Sequence, residues 1–239
     1  VTLNYSIEPV AECSLLLRFA HPPSAELSLD IGQIAQQIMV QFSAYLMNVT
    51  PSYTTILIDY LPYRISQREL EQQLITAIAA LSLAVEATHN LVELGAYYDE
   101  SVGPDLKRYH ALGLSTQQVI ALHTQTVYTV CAVGFAPGFA FMAEVDEQLR
   151  LPRHATPRLS VAKGSVAIAE QQTAVYPNNS PGGWNIIANC PHVLFSPHQT
   201  PMTPFSIGTK VKFTAMTREE FLSLGGEIPQ LAAQWEHHS

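Results

Sequence analysis

Charge is what this chain has least of. Only 13% of its 239 residues are Asp, Glu, Lys or Arg, against the ~25% usual in soluble domains. Twelve basic and twenty acidic residues leave a net charge of −8, and no run of Lys or Arg interrupts that balance. Nucleic acid and anionic membrane are therefore excluded as partners, because both are held through clustered positive charge that displaces counterions. A surface this poor in charge also points to another polypeptide covering part of it.

Cysteine is scarce as well. Cys13, Cys131 and Cys190 are odd in number, far apart and set in apolar stretches such as "VYTVCAV". That pattern reads as reduced, buried thiols rather than disulfides. Paired Cys or His at metal-ligand spacing is missing, so no zinc site is expected and no metal ligand is assigned. No uninterrupted apolar stretch approaches the ~18 residues of a membrane span. The first ten residues, "VTLNYSIEPV", show no basic segment leading into an apolar run. The expectation is a soluble, cytoplasmic protein. Also missing are GxxxxGK[ST], a GxGxxG opening a helix, GxSxG and HExxH, so no stretch is by itself a complete active site.

What the chain does have is apolar residues, 47% of the total, ample for a sizeable core. Its first part alternates strand and helix. "CSLLLRFA" reads as a strand and "LDIGQIAQQIMVQFSAYL" as a helix with i, i+3, i+4 apolar spacing. "NVTPSY" follows as a turn, "TTILIDYLP" as a strand, and "SQRELEQQLITAIAALSL" as a helix opened by a capping box from Ser66 to Glu69. "NLVELGAYYD" reads as the closing strand. The order strand, helix, strand, strand, helix, strand is that of a ferredoxin-like unit, expected over residues 1–93.

Beyond it the texture changes. "GPDLKRYHALGL" and "STQQVIALHTQ" are short helical pieces, the second with a Ser115–Gln118 capping box. Short strands then follow ("VYTVCAVGF", "GSVAIAE", "TAVYP", "WNIIAN", "VLFSP", "TKVKFTA"), divided by Gly and Pro, before a last helix in "TREEFLSLGG". Six short strands so spaced predict a β-barrel or sandwich. This second domain is expected over residues 94–239, giving an α+β fold overall.

Four segments carry candidate chemistry. "GFAPGFAF" sets glycines 134 and 138 around Pro137, either a strand-ending turn with packed phenylalanines or a rigid rim presenting backbone amides. Four of the twelve basic residues, Arg150, Arg153, Arg158 and Lys163, crowd one short stretch. They are either a solvated loop paired with nearby acids or a site for a carboxylate or phosphate. His123 closes a helix, where the macrodipole favours it, and is also the leading proton-transfer candidate. His110, His154, His192 and His198 have less context. "YPNNSPGGWNII" brackets Asn178, Asn179 and Ser180 between prolines, adds Gly182–Gly183 for a tight turn, and ends in Trp184. It is either a hairpin anchored by a core tryptophan or a polar-lipped pocket.

"YYDESVGPDL", "GLSTQQVIALHTQTVYTVCAVGFAPGFAFM", "LPRHATPRLSVAKGSVAIAEQQTAVYPNNSPGGWNII" and "TKVKF" together resemble, in order, the family of 5-oxoprolinase B subunits. That family is also known as allophanate hydrolase subunit 1 and includes the sporulation-kinase inhibitor KipI. The resemblance implies a ferredoxin-like domain followed by a cyclophilin-like β-barrel. It implies two partners, the KipA-like C subunit and the A subunit of 5-oxoprolinase. With them the chain would form an ATP-dependent hydrolase opening the lactam of 5-oxo-L-proline to L-glutamate, and alone it would be inactive. ATP with Mg would be a co-substrate of that complex, with no tightly bound cofactor. An inhibitor of a histidine kinase, or one component of a system hydrolysing allophanate or another urea-type amide, is the alternative. In this setting Arg153 or Arg158, with Lys163, would bind anionic groups, and His123 would move a proton. Asn178, Ser180, Gly182 and Gly183 would form the pocket lip and Trp184 its wall. Three departures from the family pattern bear on specificity: "VAKGSV" with Ala162 and Lys163, "QTAVYP" with Ala174, and "IANCP" at 187–191.

Overall fold

A computed structural model of the chain describes residues 4–81 and 91–229. They gather into two compact units. The first runs to residue 81 and takes in 131–133 and 206–208; the second holds the remainder.

The first unit contains β1 (Tyr5–Ala11), β2 (Ser14–Phe19), α1 (Ala25–Gln41), β3 (Leu46–Ser52), β4 (Thr55–Tyr60) and α2 (Gln67–Ala80). Its strands form one antiparallel sheet in the order β1-β2-β4-β3. Alternation along β2 and β4 buries Leu15, Leu17, Ile56 and Ile58 on the face that meets Ile31, Ile34 and Ile38 of α1 and Leu70 and Leu74 of α2, as the period of two requires.

Several boundaries differ from expectation. Helix α1 begins earlier, because Ser24, just after two prolines, accepts a hydrogen bond from the Leu27 amide and caps it. It also ends at Gln41, and the expected turn "NVTPSY" lies largely in β3. Pro51 is tolerated there because β3 pairs only with β4 and is an edge strand. The edge beside β2 is taken by β1, a strand the expected order lacks. The expected closing strand "NLVELGAYYD" supplies β5 (Leu91–Ala96), which belongs to the other sheet; Asn90 lies outside the described residues, as do the last two residues of the expected second helix, Ser82 and Leu83.

The second unit continues with α3 (Leu106–Ala111), α4 (Thr116–Gln125), β6 (Val127–Val133), β7 (Ala140–Ala143) and β8 (Arg158–Val161). Then come β9 (Ser165–Ala169), β10 (Gln172–Val175), β11 (Ser180–Gly182), β12 (Asn185–Asn189), β13 (Lys210–Ala215) and α5 (Arg218–Ser223). Seven strands make one sheet in the order β12-β9-β10-β7-β6-β13-β5, and β8 pairs separately with β11. The two ends of the sheet meet in one bridge. Tyr97 donates to the Asn189 carbonyl at 2.8 Å and Asn189 to that of Tyr97 at 3.0 Å. The sheet is thereby a nearly closed barrel.

The Ser115–Gln118 capping box is present in full, and α5 opens on a second one from Thr217 to Glu220. "VLFSP" forms no strand. Leu194 is buried while Val193 is exposed, and the Leu194 carbonyl packs against Gly138, where an added Cβ would lie 2.7 Å away.

Candidate functional site

The second unit gathers charge around one carboxylate. Asp105 immediately precedes α3, the position of an N-cap, yet its side chain makes no cap hydrogen bond. The carboxylate turns instead toward β12 and β8. One oxygen accepts the Ile186 amide at 2.7 Å, while the other accepts the Arg158 guanidinium at 2.7 Å and His154 Nε2 at 3.0 Å. The Asp105 amide donates back to the Ile186 carbonyl at 3.0 Å. Gly103 makes this approach possible, since a Cβ there would run into the Ile187 backbone. With its side chain 5% exposed, Asp105 is a buried charge satisfied by one cation, one imidazole and one amide, as such a charge must be.

Arg108, one turn along α3, donates to Asn185 Oδ1 and lies 3.4 Å from His154 Nε2. Asn185 is wholly buried. Its amide nitrogen holds the Ile168 carbonyl at 2.9 Å and the Pro152 carbonyl at 3.2 Å, which ties the segment before His154 to the barrel. His154 itself donates its main-chain N–H to the Gly183 carbonyl at 2.7 Å. Burial is the main influence on the His154 imidazole and lowers its pKa, Asp105 pulls upward, and Arg158 and Arg108 push down. The net direction is toward a neutral ring.

The hairpin "NNSPGGW" organises this loop. Ser180 pairs with Val161 and Gly182 with Arg158 in the β8–β11 ladder, and Asn179 Oδ1 accepts the Lys163 amide at 2.7 Å. Gly182 lies against the Tyr176 hydroxyl, where a Cβ would collide. Burial raises the Tyr176 pKa, while Arg153, the Trp184 backbone and Arg158 draw it down. Trp184 is buried edge-on against Phe139 and Phe141, and Phe139 also meets Tyr176. Phe135, at φ 71°, stands 66% exposed beside Phe139 and Tyr176.

The structure thus brings Arg158, Gly182, Gly183 and Trp184 together around Asp105 and His154. Arg153 is exposed on the same loop, and among the described residues it has no hydrogen bond or ion pair. Lys163, Asn178 and Ser180 lie toward the other end of the β8–β11 pairing, with Lys163 and Asn178 exposed. Arg150 is engaged locally with the Val145 carbonyl and Glu147.

His123 belongs to a different set. Its side chain is fully buried and joins Tyr98, just past β5, to Thr173 on β10. Nδ1 lies 2.7 Å from the Tyr98 hydroxyl and Nε2 3.0 Å from Thr173 Oγ1. Because Thr173 donates its only proton to the Ala167 carbonyl at 3.1 Å, Nε2 must carry the hydrogen and Nδ1 must accept from Tyr98. Burial lowers the His123 pKa to about 3. This neutral ring, packed 4.5 Å from the Phe213 centroid, hydrogen-bonds none of the Asp105 group.

Asp105, Arg108 and Asn185 are members of this cluster that sequence reasoning passes over, and His154 is the histidine it sets behind His123. "GPD" before a short helix reads as ordinary capping, and only the unused cap betrays another role. Among the described residues, no three His, Cys, Asp or Glu side chains are gathered as a metal ion would need, and no helix is long and apolar enough to cross a membrane. Cys131 and Cys190 are buried and Cys13 half-buried, all as free thiols.

Comparison with known proteins adds three findings. Residues 5–205 match the family described as the carboxyltransferase domain, subdomain C and D. A protein of Bacillus subtilis (strain 168), named as the B subunit of 5-oxoprolinase, is 31% identical over 236 residues, 92% of this chain and 97% of that one. Two solved structures share the fold. TTHA0988 is 32% identical with a TM-score of 0.77, and the match covers 91% of this chain but only 41% of that longer one. PH0987 of Pyrococcus horikoshii is 33% identical with a TM-score of 0.54, covering 90% of this chain and all of the other.

Proposed function

The chain belongs to the family of 5-oxoprolinase B subunits, and from that premise we propose that it is the B subunit of an ATP-dependent complex opening the lactam of 5-oxo-L-proline to L-glutamate. The observation that carries this reading is the end-to-end likeness to the Bacillus subtilis protein of that name. The A and C subunits are the partners. The same fold occurs as a whole chain in PH0987 and as two-fifths of a longer one in TTHA0988, which supports a partner segment working beside it. Phe135 and Leu159, exposed by 66% and 83% at the edges of the site, are apolar surface suited to such a partner. The two units are, in this reading, ferredoxin-like and cyclophilin-like.

An unstrained lactam is hydrolysed against the equilibrium, so coupling to ATP supplies the drive. The residues here suit anion handling. Arg153 and Lys163, whose charged ends make no hydrogen bond or ion pair among the described residues, are the cations for a substrate carboxylate or phosphate oxygens. Arg158 is already paired with Asp105 and serves chiefly to hold the site together. Magnesium would arrive with the nucleotide; no metal-ligand cluster exists among the described residues of this chain. The hairpin Asn178–Trp184 forms the lip and wall, and His123 braces the barrel beneath. Lys163, with its free charge, and the buried Ala174 are the positions at which substrate range would be tuned.

The test is ATP-dependent glutamate release from 5-oxoproline by this chain alone and with its cognate A and C subunits. Activity confined to the mixture supports the proposal; a complex that forms and stays inactive refutes it.

A further inference from the structure

Resting on that reading, we propose that His154 is the proton acceptor of the lactam-opening reaction, through Nδ1, and that Asp105 is its positioning residue. Geometry fixes the tautomer. Asp105 Oδ1 sits 3.0 Å from His154 Nε2, and an ionised carboxylate can only accept. Two lone pairs at that distance would repel, so Nε2 carries the hydrogen. The competing donor, Arg108, is 3.4 Å away and already directed at Asn185 Oδ1. In the neutral ring, Nδ1 then holds a lone pair with no hydrogen-bond partner among the described residues.

Both the ring and its orientation are fixed. The His154 amide is tied to Gly183, the preceding segment to Asn185, and Asp105 to the Ile186 amide and to Arg158. The side chain is 25% exposed and so is open to solvent, whereas His123 is fully buried. The charged groups facing it are Asp105 and Arg108 from α3 and its cap and Arg158 from β8. Exposed Arg153 is its neighbour in the chain, placed to hold an anionic substrate.

In the step itself Nδ1 takes a proton from water as the water oxygen bonds to the amide carbon and the C=O electron pair moves to oxygen. The resulting imidazolium is stabilised by Asp105. On collapse the C–N bond breaks, the ring proton passes to the leaving nitrogen, and neutral His154 returns. Where ATP has first phosphorylated the amide oxygen, Nδ1 takes the same proton as the water oxygen bonds to the activated carbon and the C=N electron pair moves to nitrogen. C–N then breaks with the ring proton passing to that nitrogen, and the acyl phosphate left behind is hydrolysed by a second water to carboxylate and phosphate.

Two variants and one spectrum test this. In the reconstituted complex, His154→Gln is expected to lower kcat by roughly 100-fold or more with KM changed only a few-fold, the usual scale for a lost acid–base group. Asp105→Asn is expected to lower kcat and move the acid limb of the pH–kcat profile to lower pH, since the lost negative charge no longer favours the imidazolium. Nitrogen NMR on the wild-type full chain should show His154 neutral and protonated on Nε2. An active wild-type complex whose His154→Gln variant stays within a few-fold of its kcat overturns the proposal, as does an Nδ1–H tautomer. Wild-type inactivity in a complex that does form overturns the function reading first and the proposal with it.

Discussion

Replacing His123 by Gln isolates what burying a neutral imidazole contributes to this fold. The ring lies inside the barrel, donates to Thr173, accepts from Tyr98, and has its pKa lowered by burial from 6.5 to about 3. The unfolded chain takes up the proton near 6.5 and the folded chain only near 3, so between those values unfolding is coupled to proton uptake. Stability is therefore full above about 6.5 and falls as the pH falls, by about 1.4 kcal/mol per pH unit and by roughly 5 kcal/mol over the whole interval. Gln retains one donor and one acceptor but does not titrate. Urea unfolding of both proteins should show the wild type more stable near neutrality, with the gap closing by about 2 kcal/mol on going to about pH 5. Contributions common to both proteins cancel in the difference. Parallel pH profiles for wild type and variant would refute the assignment of His123 as a neutral buried ring.

Arg153→Ala should raise KM for 5-oxoproline in the complex about tenfold or more while changing stability by less than ~0.5 kcal/mol, because that exposed side chain has no hydrogen bond or ion pair among the described residues to lose. Arg158→Ala should instead cost roughly 1–3 kcal/mol in urea unfolding, since it strips a charge-assisted hydrogen bond from buried Asp105. Gly138→Ala, at φ 84° and against the Leu194 carbonyl, should lose roughly 1–3 kcal/mol by the same measurement. In native protein, Cys13 should react with iodoacetamide well before Cys131 or Cys190; both are 1% exposed, and burial raises the Cys190 thiol pKa to about 12.

Local signals were readable where chemistry is local. Ser66 and Ser115 cap helices where their sequences say they should, and the alternation in β2 and β4 marks the buried face. The pairing of β5 was not readable, because an apolar strand fits the edge of either sheet and only a partner more than a hundred residues away decides between them. The site divides in the same way. Arg158, Gly182, Gly183 and Trp184 are legible as a cluster because they fall on neighbouring segments of one loop and hairpin. Asp105 is not, since nothing in "GPD" reveals that Gly103 brings it against β12 and that its carboxylate forsakes the helix for Arg158. His123 stands out because it ends a helix, yet the side chain's surroundings come from β10, β13 and the segment after β5, which no window of sequence displays. His154 has the opposite fate, sitting in a loop marked by its basic residues rather than by its imidazole, whose partners arrive from α3 and its cap.

The strand order also has a consequence for synthesis. Strand β13 lies between β6 and β5, pairing with both, although among the described residues it is the last strand to leave the ribosome. Until it emerges, β5 has no ladder partner in its own sheet and the Tyr97–Asn189 bridge has only one side held in place. A growing chain that has completed β12 therefore carries five paired strands, β12-β9-β10-β7-β6, with β5 not yet joined to them by a ladder, and ribosome-bound chains halted before Lys210 should be protease-sensitive where those halted well beyond Ala215 resist.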